Sequence, residues 1–479
     1  MSFEINHTDA LLSSATMNDP VKGYCWPISA SPDQSIEFFI SAANNYNLEY
    51  VRLTDLDANG SGTPLISLGE QTALVQPFPD TAWRDGCGWK MTSRLTVPTN
   101  WPSGVYAARL TSTGVTNPPL AFIVFVVKPR EHLHGDYLLL AHTLTWNAYN
   151  TWGGRSRYEP DAPNTFLLSF LRPKDIYNSP IHKNEHLLHA ELWIIKWMQE
   201  EGHQVDVVTD HDFHSGIPML DQYASIILNT HPEYWTQTMI DHLKEYLNVG
   251  GCLLYLGGNG LFERVGLDSE GRTQIFHGGA SIPNSNRAKQ YFRNLNPPQP
   301  ERELLGVAFL YDGYESTPSP YAVLLPDHRF FNGTGVVLQS KIGAGGRSGG
   351  ASGLEMDSSR AGDAPPGKIV DAWINHKEDG SPGTDRGNPP PNLQVLARGT
   401  NEQVDKQGQH AAEMTYYDTE TGGFVFSVGS MTFGGSLVVD TNLQKIVNNA
   451  LHESLLVRLK RFPLPPGLPS VIPSVLLLI

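Results

Sequence analysis

The chain has 479 residues, enough for two or three domains of roughly 150 residues each, and its 40% hydrophobic content can fill proper cores. Acidic residues outnumber basic ones 49 to 34, a formal charge of -15 with no Lys/Arg-rich block, which argues against nucleic acid and anionic membrane surfaces as partners. Cys25, Cys87 and Cys252 stand far apart and in no metal spacing, so neither a disulfide framework nor a zinc knuckle is indicated, and a reducing cytoplasm is the expected setting.

The N-terminal MSFEINHTDALLSS lacks the basic start and apolar core of a signal peptide, and no uninterrupted apolar run approaches a membrane span. From about Gly23 to Lys128 short alternating runs (QSIEFFISA, YNLEYVRLTDL, TPLISL, MTSRLTV, GVYAARLTS, LAFIVFVV) are separated by Gly, Pro, Asn and Asp. That pattern predicts an antiparallel β-sandwich as the first domain, residues 1–130.

Beyond KPREHLHGD, strands alternate with helical stretches: DYLLLAH, HLLHAELWIIKWMQEEG, HQVDVVT, YASIILN, WTQTMIDHLKEYLNVGG and CLLYLGG. The helix from about Thr236 has an apolar stripe at Met239, Leu243, Tyr246 and Leu247, and Gly250 and Gly251 stop it. Strand, helix, strand in succession predicts a flavodoxin- or amidotransferase-like parallel sheet, the α/β domain of residues 131–455. Within it, 284–391 reads as a loop-rich insertion, dense in Gly, Pro, Asn and Ser. EMTYYDTETGGFVFSVGSMTF gives a hairpin signal and TNLQKIVNNALHESLL a closing helix. The tail, 456–479, is apolar but broken by prolines, so it is expected to be extended, against its own core or a partner.

Ligands of open parallel sheets bind beyond the carboxyl ends of the strands, where strand order reverses. Here those ends run into HTLTWNAYNTWGG, TDHDFH, NTHPEYW and GGNG. In a flavodoxin-like order the first and third strands are neighbours, which sets Tyr149 opposite Glu233. His231 and Glu233 are two apart, so an extended backbone points both to one side. A glutamate capping the next helix is the plain alternative for Glu233, and an aromatic packed under a loop is the plain alternative for Tyr149.

With NAYN, HPEYW and GGNG in that order, each after a parallel strand, the chain resembles the catalytic large subunit of the N,N-dimethylformamidase family from about Gly23 to Leu455. The resemblance implies a mononuclear ferric (Fe3+) site that hydrolyses a small formamide to formate and an amine. Its metal ligands fall on Tyr106 of SGVYAARL, Tyr149 of NAYN and Glu233 of HPEYW. Its further catalytic residues fall on His231 and Asn259, and Glu355 of SGLEMD matches a glutamate that stands behind the ligands. Tyr106 can serve only if the sandwich packs over the carboxyl edge of the sheet, which makes the site interdomain. A small amide substrate, a homo-oligomer and a small companion subunit are the partners this implies. Two phenolates and a carboxylate are hard anionic oxygen ligands suited to a ferric charge.

Two rival readings stand beside this one. HKNEH, with His182, Glu185 and His186, matches a zinc peptidase pattern and requires both histidines on one helix face. A non-catalytic binding protein, with the α/β part as scaffold, predicts no metal at all. A thiol mechanism is disfavoured, because Cys252 begins a strand just after a helix rather than standing at a strand-to-helix elbow. His211, Asp212 and His214 of TDHDFH are ligand-type residues expected to line the crevice.

Overall fold

The computed structural model describes residues 19–130, 134–158, 166–175, 178–182, 186–277, 290–309, 317–359, 388–401 and 411–463. The N-terminal part forms two sheets. One is antiparallel, with strands β1 (Val21–Trp26), β3 (Ser35–Ala42) and β6 (Ser93–Thr96) in the order β1-β3-β6. The other contains β2 (Ser29–Ala30), β4 (Tyr46–Arg52), β5 (Ile66–Gln71), β7 (Gly104–Ser112) and β8 (Leu120–Val127), ordered β2-β8-β7-β4-β5. Ile36, Phe38 and Ile40 from the first sheet share one core with Tyr50, Tyr106 and Phe125 from the second.

Strand β7 is buried on both faces, and the period-two alternation of a strand decides which residue goes where. Tyr106, Ala108 and Leu110 face the core between the two sheets. Val105 and Ala107 face the other way and join the core of the C-terminal part, against residues such as Leu188, Ile195 and Trp197. The N-terminal sheets also flank the parallel sheet at its edge, where Ser103 Oγ donates to the Val207 carbonyl at 3.2 Å and accepts the Val207 N–H at 2.8 Å.

In the C-terminal part the strands β9 (Tyr137–Ala141), β10 (Phe166–Ser169), β11 (Val205–Thr209), β12 (Ser225–Thr230), β13 (Tyr234–Trp235) and β14 (Cys252–Gly257) follow in sequence. Four of them run parallel in the order β11-β9-β12-β14, and Phe424–Ser427 adds a further parallel strand beside β14. The same sheet then continues antiparallel through Glu413–Asp418, Gln394–Gly399, Tyr321–Val323 and Lys341–Ile342, to nine strands among the described residues. The molecule is therefore a β-rich α/β protein with mixed sheets. Nearly half of its described main sheet is antiparallel, and two of those short strands come from within the loop-rich 284–391.

The helix Gln237–Asn248 starts where Thr236 accepts the Met239 N–H, and it buries Met239, Leu243, Tyr246 and Leu247. The last helix, Thr441–Arg461, carries on past residue 455. Residues 464–479 of the apolar tail lie outside the described residues. No described helix is long and apolar enough to cross a membrane.

The helix Thr143–Tyr149 is docked through a buried acid. Glu191, on the helix Leu188–Glu200, accepts the Trp146 indole N–H at 2.7 Å and is 2% exposed. Burial pushes this carboxyl from 4.5 up to about 7, with His142 opposing the shift. The folded state therefore holds a proton that the unfolded chain gives up at lower pH. Its cost to stability grows as pH rises from about 4.5 to 7 and is complete above that, on the order of 3 kcal/mol. Glu191→Gln should accordingly stabilise the protein at pH 8 and do little at pH 4.5, read by urea unfolding at both. A gain independent of pH would show that the carboxyl is not protonated in the fold.

Candidate active site

Strand β12 ends at Thr230, whose φ of 55° turns the chain out of the sheet. The next residues are stapled to the stretch after β14. Leu261 N–H bonds to the Pro232 carbonyl at 2.9 Å, and Phe262 and Glu263 N–H bond to the Glu233 carbonyl at 3.0 and 3.1 Å. Beyond them β13 pairs in parallel with Glu263–Arg264. The HPEYW segment is thus a fixed backbone turn, and its side chains are held rather than free to swing.

Glu233, 3% exposed, is the centre of the cluster. Tyr149, at the end of the helix Thr143–Tyr149, donates its hydroxyl to Glu233 Oε2 at 3.0 Å. Tyr158 donates to the same oxygen at 3.0 Å and lies 3.3 Å from Oε1. His231 Nε2 stands 3.1 Å from Glu233 Oε2 and 3.3 Å from the Tyr149 hydroxyl, and its Nδ1 is 3.1 Å from the Gly258 carbonyl. The ring of His186 lies edge-on to Tyr149, with centroids 4.1 Å apart, and 4.8 Å from His231.

Tyr106 is not part of this group. Its hydroxyl donates to the Pro102 carbonyl at 2.7 Å and its ring stacks on Trp101 with centroids 4.8 Å apart. The alternation along β7 turns it into the core between the N-terminal sheets, whose contacts with the segments after the parallel strands run through other residues, Trp26 on His211 and Phe78 on Trp152. Tyr158 stands beside Glu233 instead. It is placed there by Arg157, whose guanidinium is paired with Glu263 at 2.6 Å, both side chains fully buried, and whose N–H bonds to the Ala148 carbonyl. Nothing in the run RSRYEP marks that tyrosine by periodicity. Its nearest sequence signal is that it follows Tyr149 by nine residues, in the same excursion from the sheet.

The second acid and the asparagine fall close by. Glu355 is 5% exposed and Asn259 4%. The charge of His231 and the Asn259 side chain favour the ionised Glu355 carboxyl, while the charge of Glu233 opposes it. Asn259 Oδ1 and Glu355 Oε2 are buried with no hydrogen-bond partner among the described residues. The backbone here is unusual as well. Of nine non-glycine residues with positive φ among those described, five are Thr230, Asn259, Leu261, Leu354 and Glu355. Such concentrations of backbone strain mark functional sites.

Electrostatics follow from burial and crowding. Burial, then the charge of Glu233, hold the Tyr149 phenol well above its ordinary value, so a phenolate there requires a cation beside it. Burial pulls His231 down, but the hydrogen bond and charge of Glu233 and the charge of Glu355 outweigh it and lift it to about 9. Both ring nitrogens face acceptors, which suits an imidazolium. Burial, with Glu233 and Asp357 adding to it, pushes Glu355 up to about 8. His186 is driven well down by burial and by its neighbour His231, and is neutral.

Three oxygen donors, Tyr149, Tyr158 and Glu233, converge within hydrogen-bonding distance, a hard, potentially trianionic set that fits a trivalent cation. No group of three or more His, Cys, Asp or Glu suited to a metal occurs among the described residues. His182 and His186 precede the helix Leu188–Glu200 rather than lying along it, and Glu185 lies outside the described residues. The TDHDFH residues are spent on structure. Asp212 completes a capping box with Thr209 and pairs with Lys128 at 2.8 Å, His211 bonds to the Gly271 carbonyl, and His214 bonds to Thr236.

A family model described as N,N-dimethylformamidase beta subunit-like, C-terminal, matches residues 55–448, a span that includes every residue of the cluster. The chain is 26% identical over 446 residues to the N,N-dimethylformamidase beta subunit of Paracoccus aminophilus and 25% identical over 446 residues to that of Alcaligenes sp. In both cases the match covers 77% of this chain and 54% of the relative, so the chain spans about half the length of these curated relatives.

Proposed function

Because the chain belongs to the N,N-dimethylformamidase beta subunit-like family, we propose that it is a metal-dependent hydrolase of a small formamide-type amide, with ferric iron held by Tyr149, Tyr158 and Glu233. The observation that carries this reading is the meeting of two tyrosine hydroxyls and one buried carboxylate at 3.0 Å, with an imidazole on the same carboxylate oxygen. When bound, the ion would polarise the amide carbonyl as a Lewis acid and make water a competent nucleophile at neutral pH.

The chain's own residues handle the protons and the orientation. His231, carrying protons on both nitrogens, delivers one to the departing amine nitrogen. Glu355, protonated near neutral pH, holds a proton on the far side of the cluster that it can donate. Asn259 Oδ1 is a buried acceptor open to the N–H of an unsubstituted or monosubstituted amide, and the protonated Glu355 carboxyl can donate to the amide carbonyl. Tyr149, Tyr158 and His186 wall the site with rings and limit the water around it. The two curated relatives are named as subunits. We accordingly propose that this chain too works in an assembly, with copies of itself and a small companion chain.

The test is elemental analysis of purified protein followed by a screen of formamide, N-methylformamide and N,N-dimethylformamide. About one iron per chain and release of formate are expected. Stoichiometric zinc, or a metal-free protein inert to all three, would overturn the reading. His231→Ala should keep its metal and lose about 10²–10⁴-fold in kcat, the usual worth of a positioned proton donor. An unchanged kcat would move the acid–base role to Glu355.

A further inference from the structure

The stretch GGNG, Gly257 to Gly260, carries Asn259 and also touches the other two acid–base residues. The Gly258 carbonyl is the partner of His231 Nδ1 at 3.1 Å. Gly258 lies so close to the backbone of Glu355 that an added Cβ would stand 2.0 Å from the Glu355 carbonyl oxygen. One turn therefore sets the relative positions of His231, Asn259 and Glu355.

That turn is held by a pair of side chains to which the reaction above assigns no part. Asp357 Oδ1 accepts the Asn259 N–H at 2.9 Å and Oδ2 accepts the Tyr255 hydroxyl at 2.6 Å. The Tyr255 hydroxyl in turn accepts the Gly260 N–H at 2.7 Å. Asp357 is itself anchored, its N–H bonding to the Gly429 carbonyl at 2.9 Å, and both residues are essentially fully buried. Two consecutive backbone donors are thus gathered onto a carboxylate and a phenol. This happens where Asn259 has a φ of 49° and Leu261 one of 55°, conformations that persist only when surrounding bonds over-determine them.

We propose that Asp357 and Tyr255 are positioning residues for amide hydrolysis: they lock the GGNG turn and so fix His231, Asn259 and Glu355 against one another. This inference rests on the hydrolase reading above. Neither residue touches the substrate. Their effect runs through the Asn259 and Gly260 amides. A misplacement of about 1 Å in a site of this kind costs on the order of 10²-fold in rate.

The experiment compares Tyr255→Phe, Asp357→Ala and Asp357→Asn with Tyr417→Phe. The last removes a comparable tyrosine hydrogen bond, to the Leu304 carbonyl at 2.6 Å, away from the cluster. Activity on formamides is measured well below each variant's Tm, with iron content and hydrogen exchange at Asn259 and Gly260. For Tyr255→Phe and Asp357→Ala the expected result is a kcat lower by about 10²-fold, KM within about threefold, iron retained, and faster exchange at the two amides. Asp357→Asn keeps an acceptor for the Asn259 N–H and should recover to within about tenfold of wild type. Tyr417→Phe should lose stability alone. Wild-type-like kcat in Tyr255→Phe and Asp357→Ala, or a kcat loss without faster exchange, would overturn the positioning role while leaving the hydrolase reading intact. A wild type that binds no iron and cleaves no amide would overturn the hydrolase reading, and the positioning role with it.

Discussion

Glu233→Ala is expected to purify without iron and without amidase activity. In the intact protein this carboxylate is shared by three groups, the hydroxyls of Tyr149 and Tyr158 and the Nε2 of His231. In the proposed site, removing it would take one of three anionic donors from the ion. It also removes the charge that keeps His231 protonated against its burial. Loss of an outer-shell partner alone commonly costs 10–100-fold in metal affinity, so loss of a ligand should cost more than about 100-fold. Glu233→Gln separates charge from shape, because it keeps an oxygen for the tyrosine hydroxyls and lacks the negative charge. It too should lose metal, while circular dichroism and Tm stay near wild type. A full iron complement in either variant would show that the ligands lie elsewhere.

Tyr158→Phe should bleach or shift the visible band of concentrated iron-loaded protein, and Tyr149→Phe should do the same. Ferric iron beside an electron-rich phenolate gives a ligand-to-metal charge-transfer absorption, whereas zinc, with its filled d shell, gives none. Each substitution removes one oxygen and keeps the ring, so the tilted ring contact of Tyr149 with Tyr158, with centroids 4.5 Å apart, is preserved. Tyr106→Phe is the informative contrast. Its hydroxyl bonds to Pro102 in the core of the N-terminal sheets, so the variant should lose about 1 kcal/mol of stability and keep the colour unchanged. A band that responds to Tyr106→Phe and ignores Tyr158→Phe would reverse the assignment made from geometry. Colourless, active protein carrying zinc would remove tyrosinate from the site altogether.

What the amino-acid order determined by itself was local. Alternation with punctuating turn residues marked the N-terminal strands, and the 3.6-residue stripe at Met239, Leu243, Tyr246 and Leu247 marked a helix that buries all four. Glu233, His231 and Tyr149 were legible as a group because they lie in the segments that follow neighbouring parallel strands, where a sheet of this kind opens toward a ligand. The antiparallel half of the main sheet was not legible. Its strands Tyr321–Val323 and Lys341–Ile342 are three and two residues long, too short for any period to register.

The tertiary structure alone decided which second tyrosine meets the carboxylate. Tyr106 and Tyr158 are both plain tyrosines in sequence. The first is turned into the core between the N-terminal sheets by the pleat of β7. The second is swung onto Glu233 by a buried Arg157–Glu263 ion pair formed across 106 positions of chain. Local periodicity carries no information about such a contact, because it depends on where two distant segments are brought together and not on the residues adjacent to either.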